Sequence, residues 1–150
     1  MGRKTIRNDR LCIVIIITIP GTPVGKGRPK FARRGKFVTT YTPEKTANYE
    51  NLVKFAAAQA MGDRAPLDCA VSVELLLFVT PPASWSNKKQ LAAMSGEVRP
   101  TSKPDIDNVL KGIADACNGV VWGDDKQIVE CLVRKSYAAK AEAVLKVRAA

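Results

Sequence analysis

Residues 103–130 read KPDIDNVLKGIADACNGVVWGDDKQIVE. Apolar residues recur at helical spacing in this stretch and predict an amphipathic helix from about Asp107 to Cys117. Asn118-Gly119 is a typical helix end, because both residue types tolerate the backbone turn that follows a helix. A short extended piece at Val120–Trp122 is then expected to lead the chain back. The predicted buried face of the helix consists of Val109, Leu110, Ile113 and Cys117.

Aspartates stand at both ends of this predicted helix-and-return unit. Asp105 and Asp107 are two positions apart, so their side chains point to the same side only where the backbone is extended. Pro104 disfavours helical geometry at the residue before it, which favours an extended lead-in with Asp107 at or near the N-cap. The pair Asp124-Asp125 follows in a turn after Gly123. The return of the chain is expected to bring this pair toward the first one.

Convergent carboxylates in a basic chain indicate a bound hard cation. Two like charges about 4 Å apart repel by roughly 4 kcal/mol at an effective dielectric near 20, and a cation offsets that cost. Oxygen ligands with room for water fit Mg²⁺, for which Mn²⁺ can substitute. Such an ion polarises a phosphoryl oxygen and activates water. That property matters here because the chain contains no His to act as a general base.

Each acidic piece also has an ordinary structural explanation. An Asp at a helix start is usually a cap, and an Asp-Asp pair after Gly is usually part of a turn. Lys111 lies four residues after Asp107 on the same helix face. It is expected either to contact a scissile phosphate or to form a surface ion pair.

An EF-hand is excluded because Val109 occupies the third ligand position. Gly112 inside the helix costs about 1 kcal/mol relative to Ala and predicts close packing.

The overall charge favours a polyanionic partner. Lys plus Arg number 24 against 14 Asp plus Glu, a formal net charge of +10, and nucleic acid is the commonest partner of so basic a domain. Most of the expected contacts lie within residues 20–41, where glycines would allow close backbone approach and the aromatics Phe31, Phe37 and Tyr41 could stack on an unpaired base. A solvated loop is the alternative. The predicted DNA-binding residues are Lys26, Arg28, Lys30, Arg33, Arg34, Lys36 and Lys103.

The remaining pattern predicts one domain over residues 11–150, after a flexible basic leader at residues 1–10. One helix is expected to begin at Thr42 as N-cap, with Pro43 at its first position, and to stop at Gly62. Its apolar stripe reads as core. A short exposed helix is expected at about 86–95. The predicted strands cover about 11–19, 36–40, 68–79, 127–137 and 142–148, and the last two are expected to form a hairpin across 138–141.

Two classes of protein are disfavoured. The apolar run at 11–19 is too short to span a membrane, and it reads as a buried strand. The four cysteines contain no C-x-x-C pair and read as buried, reduced thiols rather than as a zinc site or a disulfide framework. Both observations favour a cytoplasmic protein with no membrane partner.

Several motifs resemble the signature of the RusA family of Holliday junction resolvases, in its phage and prophage versions. The likeness covers about residues 13–148, almost the whole chain. The pieces KPDIDN and WGDD, in this order and spacing, are the most specific. The matching pieces are KPDIDN at 103–108, Lys111, NGVVWGDD at 118–125, QIV at 127–129, PGTPVGKGRP at 20–29, and YTPEKT at 41–46 with Tyr49.

The resemblance implies an α+β fold, a small mixed β-sheet with helices packed on it, in a homodimer. It implies an endonuclease dependent on Mg²⁺ or Mn²⁺ that resolves four-way DNA junctions by symmetric paired nicks in recombination and repair. The family's essential carboxylates match Asp105, Asp107 and Asp125, which are therefore the expected metal ligands and catalytic residues. Its essential lysine matches Lys111, whereas Asp124 matches a position that is less clearly catalytic.

A closed two-fold dimer would present two identical sites to a junction of approximate two-fold symmetry. The expected setting is the cytoplasm of a bacterial cell, with a phage or prophage gene as a possible source. Two alternatives stay open. One is a nuclease for other branched DNA, such as flaps or forks. The other is a structure-selective DNA-binding protein without turnover, whose acidic turns serve only as caps.

Overall fold

The computed structural model describes residues 13–27, 30–41 and 43–150. The predicted leader, Cys12, Arg28 and the predicted cap Thr42 lie outside these residues. The elements combine a mixed sheet with three helices, so the predicted α+β class is confirmed. In chain order they are β1 (Ile15–Pro20), β2 (Lys30–Arg34), β3 (Phe37–Tyr41), α1 (Glu44–Met61), β4 (Val71–Val79), α2 (Asn87–Ser95), α3 (Ile106–Cys117), a 3₁₀ turn (Asp125–Gln127), β5 (Ile128–Tyr137) and β6 (Glu142–Ala149).

The main sheet has four strands in the order β1-β6-β4-β5. Strand β4 pairs antiparallel with β6 and parallel with β5. The predicted hairpin of the last two strands is therefore wrong, because β4 lies between them. The reason is the apolar character of β4: its core face is fully buried, and Leu76 and Phe78 on the other face are half-buried. A strand that is apolar on both faces is most stable in the middle of a sheet.

One hydrophobic core lies between the sheet and the helices α1 and α3. Each fully buried aliphatic side chain there contributes roughly 1.5–3 kcal/mol. The apolar stripe of α1, predicted as core, is confirmed, and so is the predicted buried face of α3. Helix α1 ends at Gly62, as predicted, with a positive φ of 56°. Its N-cap is Pro43, so this residue precedes the first helical position instead of occupying it.

A glycine-containing segment, residues 24–27, lies across helix α3. The backbone N–H of Lys26 donates to the carbonyl of Asn108 at 3.1 Å. A Cβ atom on Gly112 would lie 3.5 Å from the Cβ of Lys26, so the predicted close packing at Gly112 is confirmed. A Cβ on Gly25 would lie 3.2 Å from the Cβ of Asn108. This glycine therefore allows close approach to the protein's own helix, whereas the sequence suggested approach to a ligand.

The chain that returns from α3 is a compact turn, so the extended piece predicted at Val120–Trp122 is wrong. The N–H groups of Val120 and Val121 both donate to the carbonyl of Cys117, each at 3.0 Å. The side chains of Val121 and Trp122 are fully buried. The indole Nε1 of Trp122 donates to Oδ1 of Asn118 at 2.9 Å. Burial of the indole with its N–H satisfied favours this turn over a strand.

Strands β2 and β3 form a separate antiparallel hairpin, which we call the basic hairpin (residues 30–41). Gly35 has a φ of 60° at the turn, a conformation that favours glycine. The short strand predicted at 36–40 is confirmed by β3, which begins and ends one residue later than predicted. Strand β2 was not predicted, because its run of cations hides the alternation typical of a strand. The predicted helix at 86–95 is confirmed by α2.

The cysteines differ from the expectation in one respect. Cys117 is buried and Cys69 half-buried, but Cys131 is exposed on the edge strand β5. Burial raises the pKa of the Cys117 thiol to about 12, so this side chain behaves as an apolar group. Among the helices of the described residues, none has both the length and the apolar character needed to cross a membrane.

Candidate active site

The N-terminus of α3 carries the first acidic pair. Asp105 is the N-cap residue, with extended backbone angles (φ −74°, ψ 134°), and Asp107 lies in the first helical turn. Asp107 therefore lies near the N-cap, as predicted, two positions after the cap residue itself. Both side chains are exposed, and the partial positive charge of a helix N-terminus stabilises carboxylates there. Asp105 accepts a hydrogen bond from the side-chain amide of Asn108 at 3.3 Å.

The lead-in to α3 is held by a lysine from the sheet. The ammonium of Lys135, on strand β5, donates to the carbonyl oxygens of Ser102 and Pro104 at 2.7 and 3.0 Å. These contacts fix the backbone immediately before Asp105. No local sequence pattern indicates this role, because the position of β5 beside this loop depends on the sheet order. Lys103, a predicted DNA-binding residue, is exposed on the same loop.

The second acidic pair divides into two different roles. Asp124 accepts a hydrogen bond from the backbone N–H of Lys126 at 3.0 Å, and this bond lowers the pKa of Asp124. The side chain of Gln127 accepts from the N–H of Asp124 at 3.0 Å. This reciprocal arrangement is a capping box for the 3₁₀ turn. Asp124 is therefore a structural cap, which leaves Asp125 as the member of the pair that faces α3.

Asp125 contacts the exposed side of α3 through Lys111. Its Oδ2 atom accepts a hydrogen bond from the Lys111 ammonium at 2.9 Å. Lys111 lies four residues beyond Asp107, which corresponds to about 6 Å along the helix axis. The surface ion pair considered between Asp107 and Lys111 does not form, because the ammonium turns to other carboxylates.

Asp115 is a fifth aspartate in this region and was not singled out from the sequence. Its Oδ1 atom accepts from the ammonium of Lys111 at 2.8 Å, and its Oδ2 atom accepts from the ammonium of Lys26. Lys26 is thus directed toward α3, although the sequence suggested a DNA-binding role for it. The spacing of four residues between Lys111 and Asp115 on one helix could have indicated their ion pair. The contact of Asp115 with Lys26 could not be read from the sequence, because it depends on the packing of residues 24–27.

The charges in this network reinforce one another. The hydrogen bonds that the Lys111 ammonium donates to Asp115 and Asp125 raise its pKa well above the usual value. Partial burial opposes ionisation of Asp115, but the hydrogen bonds from Lys111 and Lys26 outweigh it and lower the pKa of this carboxyl. Lys111 is consequently charged at every pH of interest. Its side chain remains 59% exposed, so the ammonium is accessible from solvent.

The donor chemistry of the site suits a hard cation. Asp105 and Asp107 are exposed, and Asp107 makes no hydrogen bond or ion pair with another side chain among the described residues. Asp125 keeps one carboxylate oxygen outside its bond to Lys111. However, no group of three or more such side chains is gathered at ligating distance in the part of the chain that the structure describes. The three predicted ligands, Asp105, Asp107 and Asp125, therefore do not form such a group in this structure.

The basic hairpin begins beside this site. Residue 27 is three positions before the first residue of β2, a span of at most about 11 Å. The N–H of Gly27 donates to Thr46 Oγ1 on helix α1 at 3.2 Å, so the base of the hairpin is attached to both helices. Phe31 and Phe37 are exposed to 75% and 79%. The exposed predicted DNA-binding cations on the hairpin and its turn are Lys30, Arg33, Arg34 and Lys36.

The fold and this geometry define an α+β protein with a carboxylate–lysine site beside a basic hairpin. The family model for the endodeoxyribonuclease RusA matches residues 20–148. The chain therefore belongs to the RusA endodeoxyribonuclease family, a family of nucleases that act on branched DNA and generally depend on a divalent metal. It is also 36% identical over 126 residues to the uncharacterized protein YqaN of Bacillus subtilis (strain 168), covering 83% of this chain and 88% of that protein.

Proposed function

We propose that this protein is a Mg²⁺-dependent endonuclease that resolves four-way DNA junctions by symmetric paired nicks, in recombination and repair in the bacterial cytoplasm. The observation that carries the proposal is the contact of Lys111 with Asp125, across from the acidic pair at the start of the same helix. This contact supports the proposal, because Lys111 belongs to the helix whose first turn carries Asp107, 18 residues before Asp125 in the chain.

In this proposal Asp105, Asp107 and Asp125 hold the divalent ion, and Mn²⁺ can substitute for Mg²⁺. When bound, the ion supplies Lewis-acid stabilisation of phosphoryl charge and eases deprotonation of the attacking water. Three oxygen donors suit either ion. Repulsion between the carboxylates also favours binding of a cation, because a cation offsets that repulsion.

Lys111 is the residue that stabilises charge on the scissile phosphate. Its ammonium is exposed and carries a full charge, and its hydrogen bond to Asp115 keeps it at the site when it turns from Asp125 to DNA. Water attacks phosphorus, the bond to the 3′ oxygen breaks, and the products are a 3′-hydroxyl and a 5′-phosphate. Negative charge develops on the phosphate oxygens and the leaving oxygen as the bond breaks. A cation held at this position therefore stabilises the transition state more than the ground state.

The basic hairpin is the main DNA contact in the proposal. Its cations neutralise phosphates, and its exposed aromatic rings stack on bases that are unpaired at a branch point. The lead-in cation Lys103 and, outside the described residues, Arg28 complete the contact. Because the hairpin starts within about 11 Å of residue 27, bound DNA passes close to the acidic pair.

The test is cleavage of a labelled synthetic four-way junction in Mg²⁺, with a linear duplex of the same sequence alongside. We expect paired symmetric nicks in the junction only. The variant Asp107→Asn is expected to lose at least about 100-fold in cleavage rate and to retain junction binding, because it removes one ligand charge. Asp63→Asn, on the exposed turn after α1, is the matched control and should cleave normally.

Other outcomes separate the alternatives. Efficient nicking of flaps or forks with an intact four-way junction would identify a nuclease for other branched DNA. Junction binding without nicks, in Mg²⁺ and again in Mn²⁺, would favour the non-catalytic DNA-binding protein and reassign the aspartates as cap and turn residues. Normal cleavage by Asp107→Asn would contradict the proposed metal site.

A further inference from the structure

Asp115 lies outside both acidic motifs, yet two lysines from different parts of the chain converge on it. Lys111 approaches its Oδ1 atom at 2.8 Å from the preceding turn of α3, and Lys26 approaches Oδ2 from residues 24–27. The Asp115 side chain is 22% exposed, less than those of either lysine, at 59% and 37%. Both of its oxygens are therefore engaged by ammonium groups, which makes it a poor candidate for a further metal ligand.

The surrounding packing determines this geometry. Residues 24–27 pack against α3 at Gly112, and the bond from the Lys26 N–H to the Asn108 carbonyl fixes their register. In this position the side chain of Lys26 reaches along the helix to Asp115. The carboxylate of Asp115 consequently joins the helix that carries Lys111 to the segment from which the basic hairpin emerges.

The contact also limits where the Lys111 ammonium can lie. With Asp115 present, the ammonium is shared between Asp115 and Asp125 at nearly equal distances of 2.8 and 2.9 Å. Without Asp115, its remaining carboxylate contact is Asp125, and it would then neutralise a residue that is proposed to hold the metal ion. A partly buried, charge-assisted hydrogen bond is strong enough to maintain such a preference.

We propose that Asp115 is a positioning residue: it holds the Lys111 ammonium between the metal site and the scissile phosphate, and it attaches the base of the basic hairpin to α3 through Lys26. The expected effect of Asp115 on the cleavage rate rests on the proposed nuclease function. The placement of the Lys26 and Lys111 ammonium groups by Asp115 does not depend on that function. Asp115 acts through the lysines and touches neither substrate nor metal.

The kinetic test is a double-mutant cycle on Asp115 and Lys111, read as single-turnover cleavage of the junction at saturating protein. Asp115→Asn is expected to lower this rate by about 10- to 100-fold, because small displacements of a catalytic group are costly. On a Lys111→Ala background the same substitution should change the rate by less than about threefold, because Asp115 then has no catalytic lysine to position. Equal losses on both backgrounds would overturn the inference.

Two controls separate positioning from folding. Asp115→Glu keeps the negative charge on a longer side chain, so it is expected to cleave faster than Asp115→Asn. If Asp115 acted only through packing, independent of its charge, Asp115→Glu should cleave no faster than Asp115→Asn. Asp63→Asn removes one negative charge from an exposed turn and should leave the rate unchanged. Thermal unfolding of each variant checks that the fold is intact, and Asp115→Glu carries the test if Asp115→Asn does not fold.

A second measurement requires no cleavage at all. Nitrogen-15 relaxation of the lysine ammonium groups in the free protein is expected to show Lys26 and Lys111 as more ordered than Lys54, which is exposed on α1. Asp115→Asn should release both groups. Ammonium groups as mobile in the wild type as that of Lys54 would overturn the inference. If the wild type cuts no junction, the proposed function fails, and the relaxation result still decides the placement.

Discussion

Asp124 and Asp125 are adjacent in the chain but have different surroundings. Asp124 accepts a hydrogen bond from a backbone N–H within its own turn, whereas Asp125 accepts one from the Lys111 ammonium on helix α3. Asp124→Ala is expected to lower the thermal unfolding midpoint by about 2 to 5 °C, because it removes a cap, while cleavage stays within about tenfold of the wild type. Asp125→Ala is expected to reduce cleavage by at least about 100-fold with little change in the midpoint. The reverse pattern in paired unfolding and cleavage assays would contradict this assignment.

Tyr49 carries a buried hydroxyl that has no hydrogen-bond partner among the described residues. Burial raises its pKa from 10.0 to about 12. Between these values the unfolded chain loses the phenol proton while the folded chain keeps it, so stability falls as pH rises through this window. Tyr49→Phe is expected to leave the free energy of unfolding at pH 7 unchanged or to raise it by up to about 1 kcal/mol. It should also lessen the loss of stability between about pH 10 and 12 in denaturant titrations. A clear destabilisation at pH 7 would indicate that the hydroxyl has a partner.

At the scale of elements, helix α3 was predictable because its apolar period is regular and its ends carry residues typical of helix boundaries. The acidic motifs could be placed on it for the same reason. The position of β4 between β5 and β6 could not be predicted, since strand order depends on long-range pairing. The contacts of Asp115 with Lys26 and of Lys135 with the lead-in loop depend on that packing. They were therefore not visible in local patterns.

The basic hairpin makes a prediction at the same scale. Phe37 lies next to the turn and is 79% exposed, so a ring there has few protein contacts to lose. Phe37→Ala is expected to weaken junction binding by about 5- to 150-fold, the equivalent of about 1–3 kcal/mol for one stacked base. Fluorescence anisotropy with Ca²⁺ in place of Mg²⁺ measures binding without cleavage. Phe55→Ala is the matched control, because Phe55 is also 62% exposed but lies on α1. Equal losses for both variants would argue against stacking by the hairpin.

At the scale of the whole molecule, symmetric nicking requires two sites on one junction. The described chain contains one set of Asp105, Asp107, Asp125 and Lys111, so we propose that a homodimer supplies the second set. A closed two-fold dimer would present both sets in equivalent positions to the two strands. A dimer that pairs one wild-type subunit with one Asp107→Asn subunit therefore contains one working site. It is expected to bind the junction normally and to nick one strand.

This expectation can be measured with differently tagged subunits purified as a mixed dimer. A supercoiled plasmid that extrudes a cruciform gives a linear product when both strands are cut in one binding event, and a nicked circle when one strand is cut. The mixed dimer should therefore produce nicked circles, while the wild-type dimer produces linear DNA. Linear product from the mixed dimer at the wild-type rate would mean that a single site cuts both strands. A monomer in sedimentation experiments, with paired nicks retained, would likewise contradict the two-site arrangement, because one copy of the chain would then have to turn on the junction between cuts.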